Sequence, residues 1–221
     1  MSNKVGQVYF VPSPRQLNDS FCKMNYLAHA YLSFNEPGIL TGNMISDFVK
    51  GKKKFDFSLV IQRGIALHRA IDEFTDFHPV TQQAKSYFKQ HYRLYAGAFI
   101  DVVYDHFLAN DKNEFINAKE LDSFCQSTYL HLQNNSAGLP EKFLQMLPYM
   151  QQQNWLFHYS VREGIEKSFG GLARRAAYLS ESDIAFSIFN THYHELEKCY
   201  QLFFPELKIF SAQYLCKLNS Q

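Results

Sequence analysis

Apolar residues recur at helical spacing through most of the chain and predict one α-helix after another. Residues 24–34, MNYLAHAYLSF, are apolar enough for a buried helix, and Asn35-Glu36-Pro37-Gly38 ends it with turn chemistry. Residues 38–49 resume in helical fashion, and Lys50-Gly51-Lys52-Lys53-Lys54 follow as a basic loop. Ser58 stands where it would cap the next helix, in which Leu59, Val60, Gly64, Ile65, Leu67, Ile71 and Phe74 repeat near the helical period. His78-Pro79 marks a boundary before a helix over 81–91, and residues 95–109 form a long apolar helix that carries acids. An amphipathic helix follows over 114–133, with Phe115, Leu121, Phe124, Tyr129 and Leu132 inward. Pro140 suits the first turn of the next helix, which Pro148 should kink or end. Two helices, 154–167 and 170–179, are expected to meet at Ser168-Phe169-Gly170-Gly171, and a last one starts at Ser180–Asp183, runs through His192 and His194 and breaks at Pro205. With no hairpin signal and no internal repeat, the pattern predicts an all-α, single-domain helical bundle over 24–221. Residues 1–23, broken by Pro12 and Pro14, read as an N-terminal extension.

Composition narrows the function classes. Hydrophobic residues make up 46%, so the chain should fold, and 21 Phe with 14 Tyr supply rings for a core or a groove. A net charge of +1 argues against a general attraction to nucleic acid. Cys22, Cys125, Cys199 and Cys216 are scattered without a CxxC pair, which fits free thiols in a reducing cytoplasm better than a zinc knuckle. No run reaches the ~18 apolar residues of a membrane span, and the start lacks a long apolar signal segment.

The chemistry gathers in three stretches. In GIALHRAIDEFTD, His68 and Asp72 are four residues apart, so a helix puts both on one face, where they can grip a divalent cation or orient each other. In AFIDVVYDHFLAN, Asp101 and Asp105 repeat that spacing with His106 beside them. Upstream, GNMISDFVKG adds Asp47. Acids on so apolar a helix as the second stretch have few explanations: a cation, a core salt bridge to arginine or a helix cap. Successive residues diverge by about 100° on a helix, which favours Asp105 over His106 as the inner ligand. His29 sits in an apolar run, where a satisfied core histidine is the common fate. Asp47 reads equally as a surface acid, and His192 and His194 point apart. The glycines of FGGLARR would let backbone amides approach an anion, with Arg174 or Arg175 holding phosphate; a plain helix linker is the alternative. Oxygen and imidazole donors without thiolate suit Mn²⁺, Mg²⁺ or Fe²⁺, and a carboxylate-rich cation site beside arginines suits phosphate ester hydrolysis.

The blocks MNYLAHAYLSF, GNMISDFVKG, ALHRAIDEFTD, DVVYDHFLA, NWLFHYSVREGI and FGGLARRA, in this order, resemble the bacterial acyl carrier protein phosphodiesterases, or holo-acyl-carrier-protein hydrolases. The likeness runs from Met24 to about Phe204. It implies a helical fold distantly like the HD-domain phosphohydrolases and a preference for Mn²⁺. The implied reaction is hydrolysis of the phosphodiester joining 4′-phosphopantetheine to a serine of holo-acyl carrier protein. It places Asp47, His68, Asp72 and Asp105 in matching blocks as metal candidates, while His29, Arg69, Asp101 and His106 match more loosely; Asp72, Asp101 and His106 are the catalytic candidates. The carrier is a small acidic bundle, so Lys50, Lys52, Lys53, Lys54, Arg63, Arg69, Arg174 and Arg175 could form its landing surface. The rival readings are a related metal phosphohydrolase acting on nucleotides or another phosphodiester, and a non-catalytic module that binds an acidic protein.

Overall fold

A computed structural model describes residues 26–175 and 182–220. They form a single compact all-α domain: α1 (Tyr26–Tyr31), α2 (Pro37–Ile45), α3 (Leu59–Phe77), α4 (Pro79–Tyr92), α5 (Ala96–Asn110), α6 (Ala118–Asn134), α7 (Glu141–Gln152), α8 (Trp155–His158), α9 (Arg162–Arg175), α10 (Asp183–Thr191) and α11 (Tyr193–Asn219). The expected extension over 1–23 lies outside the described residues. No described helix is long and apolar enough to cross a membrane.

The apolar run of α5 has the expected consequence. Every residue from Ala98 to Ala109 is buried, and α1, α4, α9 and α11 pack around it. The rings collect on the same axis: Phe99 contacts Phe88, Tyr92 and Phe169, and Tyr104 stacks on Phe203.

α2 and α3 approach so closely that two glycines are required. A Cβ on Gly42 would lie 2.1 Å from the carbonyl oxygen of Ile61, and one on Gly64 would lie 2.3 Å from that of Ile39. Chain entropy lost at glycine is offset here by main-chain contact that no side chain would permit. α11 runs antiparallel to α3, since His78 bonds Glu206 at one end and Arg63 bonds Asn219 at the other.

Three sequence expectations give way to packing. α9 is continuous through Gly170 and Gly171, so these glycines open no helix and present no free first-turn amides to an anion. Phe169, fully buried against Phe88, Phe99 and Phe189, holds that stretch in register. α11 continues through Pro205 because Phe203, Phe204 and Leu207 bury around it and outweigh the roughly 3 kcal/mol that an interior proline costs. Pro148 likewise lies inside α7 without ending it.

Candidate metal centre

The first residues to place are the two imidazoles. His29 on α1 and His68 on α3 are buried and stacked, with ring centroids 3.8 Å apart and planes 16° from parallel. Asp72, one turn beyond His68, straddles them: Oδ1 lies 3.3 Å from His29 Nε2 and Oδ2 lies 3.5 Å from His68 Nε2. The short 3-10 turn Ser46–Phe48 after α2 brings Asp47 Oδ1 to 3.3 Å from His68 Nε2.

His68 has a fixed tautomer. Its Nδ1 lies 2.8 Å from the carbonyl oxygen of Asn43, which can only accept, so Nδ1 carries the proton and Nε2 faces the carboxylates. His29 is different. Its Nε2 is near Asp72, yet neither ring nitrogen has a hydrogen bond of good direction among the described residues. Buried orphan nitrogens cost free energy unless something occupies them.

The electrostatics of the pair diverge. Burial lowers the His29 pKa and the neighbouring His68 lowers it further, against the pull of Asp72. Burial also draws His68 down, but the Asp47 hydrogen bond and the charges of Asp72 and Asp47 outweigh it and raise the pKa. The two rings thus differ in proton affinity, His68 holding a proton more tightly than His29.

The spacing fits a cation. One donor atom each from His29, His68 and Asp72 lies within 4.8 Å of the others. Two donors each about 2.1 Å from one ion sit about 3.0–3.4 Å apart in octahedral or tetrahedral geometry. His68, with Nδ1 on a main-chain carbonyl and Nε2 toward the carboxylates, has the orientation that a metal-binding imidazole needs. Only the carboxylate side opens to solvent, with the Asp72 and Asp47 side chains 16% and 25% exposed.

Asn43 was not singled out by the sequence. Its Nδ2 donates to the His29 carbonyl (2.8 Å) and to Ser33 Oγ (3.1 Å), while its own carbonyl holds His68. One residue therefore ties the His68 ring to the main chain of His29. A buried polar residue one position after the helix-contact glycine, in GNMISD, was the available signal. Asn43→Ala leaves the main-chain carbonyl on His68 in place and removes the amide that holds the His29 main chain, so it is expected to weaken Mn²⁺ binding by about tenfold, the low end of the usual loss when a supporting partner is removed, as read by titration calorimetry.

The acids of α5 have partners of their own and are not among the donors gathered at His29, His68 and Asp72 among the described residues. Asp105 is fully buried and accepts from the backbone amides of Leu27 (3.0 Å) and Ala28 (2.8 Å), capping the first turn of α1 from across the core. Burial raises its pKa well above the carboxylate range, and these two amides pull against that. Asp105→Ala should cost about 3 kcal/mol in chemical denaturation, because two buried donors lose their acceptor. Were Asp105 a ligand instead, the variant would lose its Mn²⁺-dependent rise in Tm. Asp101 lines a small cavity with Thr75, Tyr104 and Phe204. His106 is turned toward α8 and α11, with Nδ1 2.7 Å from the Tyr159 carbonyl and Nε2 3.0 Å from the Tyr193 hydroxyl. Burial lowers its pKa to about 4, against the Tyr159 carbonyl and with help from the Arg162 charge. Its two partners account for both ring nitrogens.

The basic candidates divide. Lys52, Lys53 and Lys54 lie on the 3-10 segment Gly51–Asp56, with Lys52 and Lys53 exposed, and Arg69 donates to the Val49 carbonyl at 2.9 Å, tying α3 to the segment that follows Asp47. Arg63 is half-buried and Arg174 exposed, while the side chain of Arg175 lies outside the described residues.

Comparison with other proteins now adds to this geometry. The family described as "Acyl carrier protein phosphodiesterase" matches residues 24–207. The chain is similar to a protein named "Acyl carrier protein phosphodiesterase" from Photorhabdus laumondii, 31% identical over 182 residues, covering 82% of this chain and 92% of that one. It is similar to proteins of the same name from Pectobacterium atrosepticum, 29% identical, and from Yersinia pestis, 30% identical, each over 184 residues that cover 83% of this chain and 95% of the relative. No solved structure matches the chain.

Proposed function

This chain belongs to the acyl carrier protein phosphodiesterase family, and on that premise we propose that it is a metal-dependent hydrolase of the 4′-phosphopantetheine–serine phosphodiester in holo-acyl carrier protein. The products are apo-acyl carrier protein and 4′-phosphopantetheine. The observation that carries the reading is the buried imidazole stack spanned by Asp72, with Asp47 at its solvent edge.

His29, His68 and Asp72 would hold the cation, and two imidazoles with carboxylate suit Mn²⁺ or Fe²⁺ better than the oxygen-preferring Mg²⁺. Such an ion offsets charge on the phosphoryl oxygens and acidifies water, which a serine alkoxide leaving group needs. Asp47 stands at the open side, where its carboxylate can accept a proton from water or orient it. The Asn43 carbonyl keeps His68 Nε2 aimed at the carboxylates, and Arg69 fixes the turn that carries Asp47. Asp105 contributes at a distance, by anchoring the helix that bears His29. We take residues 24–221 as the catalytic domain with 1–23 as an extension, an HD-like ancestry for the bundle, and a cytoplasmic location, where the carrier protein would be met.

The decisive experiment incubates the protein with holo-acyl carrier protein and Mn²⁺ and weighs the products. Loss of the 4′-phosphopantetheine mass is the expected result; an unchanged carrier together with hydrolysis of nucleotide substrates would favour the rival phosphohydrolase. Absence of any Mn²⁺ effect on Tm or turnover would favour a non-catalytic binding module.

The exposed Lys52 and Lys53 offer an acidic carrier an electrostatic approach. Lys52→Glu with Lys53→Glu is expected to raise KM for the carrier about tenfold at low salt, and the difference should shrink as salt screens the surface. Initial rates at two ionic strengths check this.

A further inference from the structure

The outer flank of α3 carries a feature that the metal centre does not use. A groove of about 660 Å³ runs between α3 and α11 and takes in Lys54. Its aromatic wall is a ladder: Phe74 stacks on Phe210 with centroids 4.4 Å apart, and Phe210 stacks on Tyr214 at 5.8 Å. Phe77 stands at one end, 78% exposed, an unusual position for a large ring on a folded surface. Its cations are Lys54 and Arg69.

Arg69 joins this groove to the centre. It lies three residues before Asp72, and residues three apart are neighbours on a helix surface. It also grips the Val49 carbonyl just beyond Asp47. The groove, which starts at Ile65 and Ala66, thus passes one helical turn from the carboxylates and follows α3 to Phe77, eight residues or about 12 Å beyond Arg69. A ligand anchored at the centre by a phosphodiester and continuing along this groove would meet Arg69 first, then pass the Glu73 carboxylate, and reach the rings of Phe74 and Phe77 beyond.

We propose that this groove binds the pantetheine arm of the substrate, with Arg69 and Lys54 nearest the phosphate and the rings of Phe74, Phe77 and Phe210 against the chain beyond it. The proposal rests on the hydrolase reading for the identity of the ligand. The arm's chemistry matches the surface: an anionic phosphate at one end, a gem-dimethyl group for aromatic faces, and amides that stay partly solvated in an open groove. An acidic helix of a carrier protein would instead need cations along the whole length, which the aromatic end does not supply.

Two variants test the groove and spare the centre. Phe77→Ala removes an exposed ring, and Ala66→Trp fills the groove from the half-buried face of α3. Each should raise KM for holo-acyl carrier protein by about tenfold, the scale of losing one anchoring contact, with kcat little changed and the Mn²⁺-induced rise in Tm intact. Calorimetric titration with free 4′-phosphopantetheine should show binding to the wild type that both variants weaken by a similar factor. This second measurement needs no turnover, so an inactive wild type that still binds the free arm in the groove would sink the hydrolase reading and leave the groove standing. Wild-type KM and wild-type arm affinity in both variants, or no binding of the arm to any of the three proteins, would overturn the groove assignment.

Discussion

Replacing Asp72 with asparagine is expected to lower hydrolysis of holo-acyl carrier protein by about a thousandfold, since a lost ligand forfeits several kcal/mol of transition-state charge stabilisation at about 1.4 kcal/mol per decade. Asp72 is the group that touches both imidazoles, at 3.3 and 3.5 Å, and an amide offers one neutral oxygen where the carboxylate offers two charged ones. The same variant should lose most of the Mn²⁺-dependent rise in Tm, because that rise measures affinity for the folded state. Its stability without metal should change far less, since Asp72 is partly exposed and water can replace its contacts. Thermal melts with and without Mn²⁺, alongside product mass, separate these effects. Normal metal stabilisation in the variant would remove Asp72 from the ligand set.

Gly64→Ala should damage the fold severely. The new methyl would stand 2.3 Å from the Ile39 carbonyl oxygen and 2.9 Å from the Gly42 Cα, and both neighbours are backbone. α2 and α3 must then separate, at an expected cost of about 3–5 kcal/mol, the range of severe overpacking. The separation also pulls the Asn43 carbonyl from His68, 2.8 Å away, so metal affinity should fall even in the fraction that folds. Gly97→Ala is the contrast. Its methyl would meet the flexible end of Lys85, at 3.4 Å, and the Asp76 carboxylate, at 3.9 Å, and alanine is the better helix former by up to about 1 kcal/mol. Urea denaturation of the two variants should therefore give changes of opposite sign.

These residues show what a sequence discloses. The pairing of His68 with Asp72 follows from helical period alone, and so was legible in GIALHRAIDEFTD. The all-α class was legible for the same reason. His29 was not, because the same apolar surroundings suit a core histidine, and only the docking of α1 beside α3 sets its ring on His68. Asp105 shows the converse. A helix cap stood among the readings of an acid on an apolar helix, but the amides that it caps lie 77 and 78 residues away. Gly170 and Pro205 misled through local propensity, which buried Phe169 and Phe203 override.

The short helix α1 gives the centre two parts of unequal firmness. Six residues are too few to stand as a helix alone, so its first turn depends on one carboxylate reaching across the interior. α3, at 19 residues and clasped by α2 and α11, has no such weakness. Withdrawal of α1 would remove a single nitrogen donor while leaving the other donors seated, and it would first have to break the two amide bonds to Asp105.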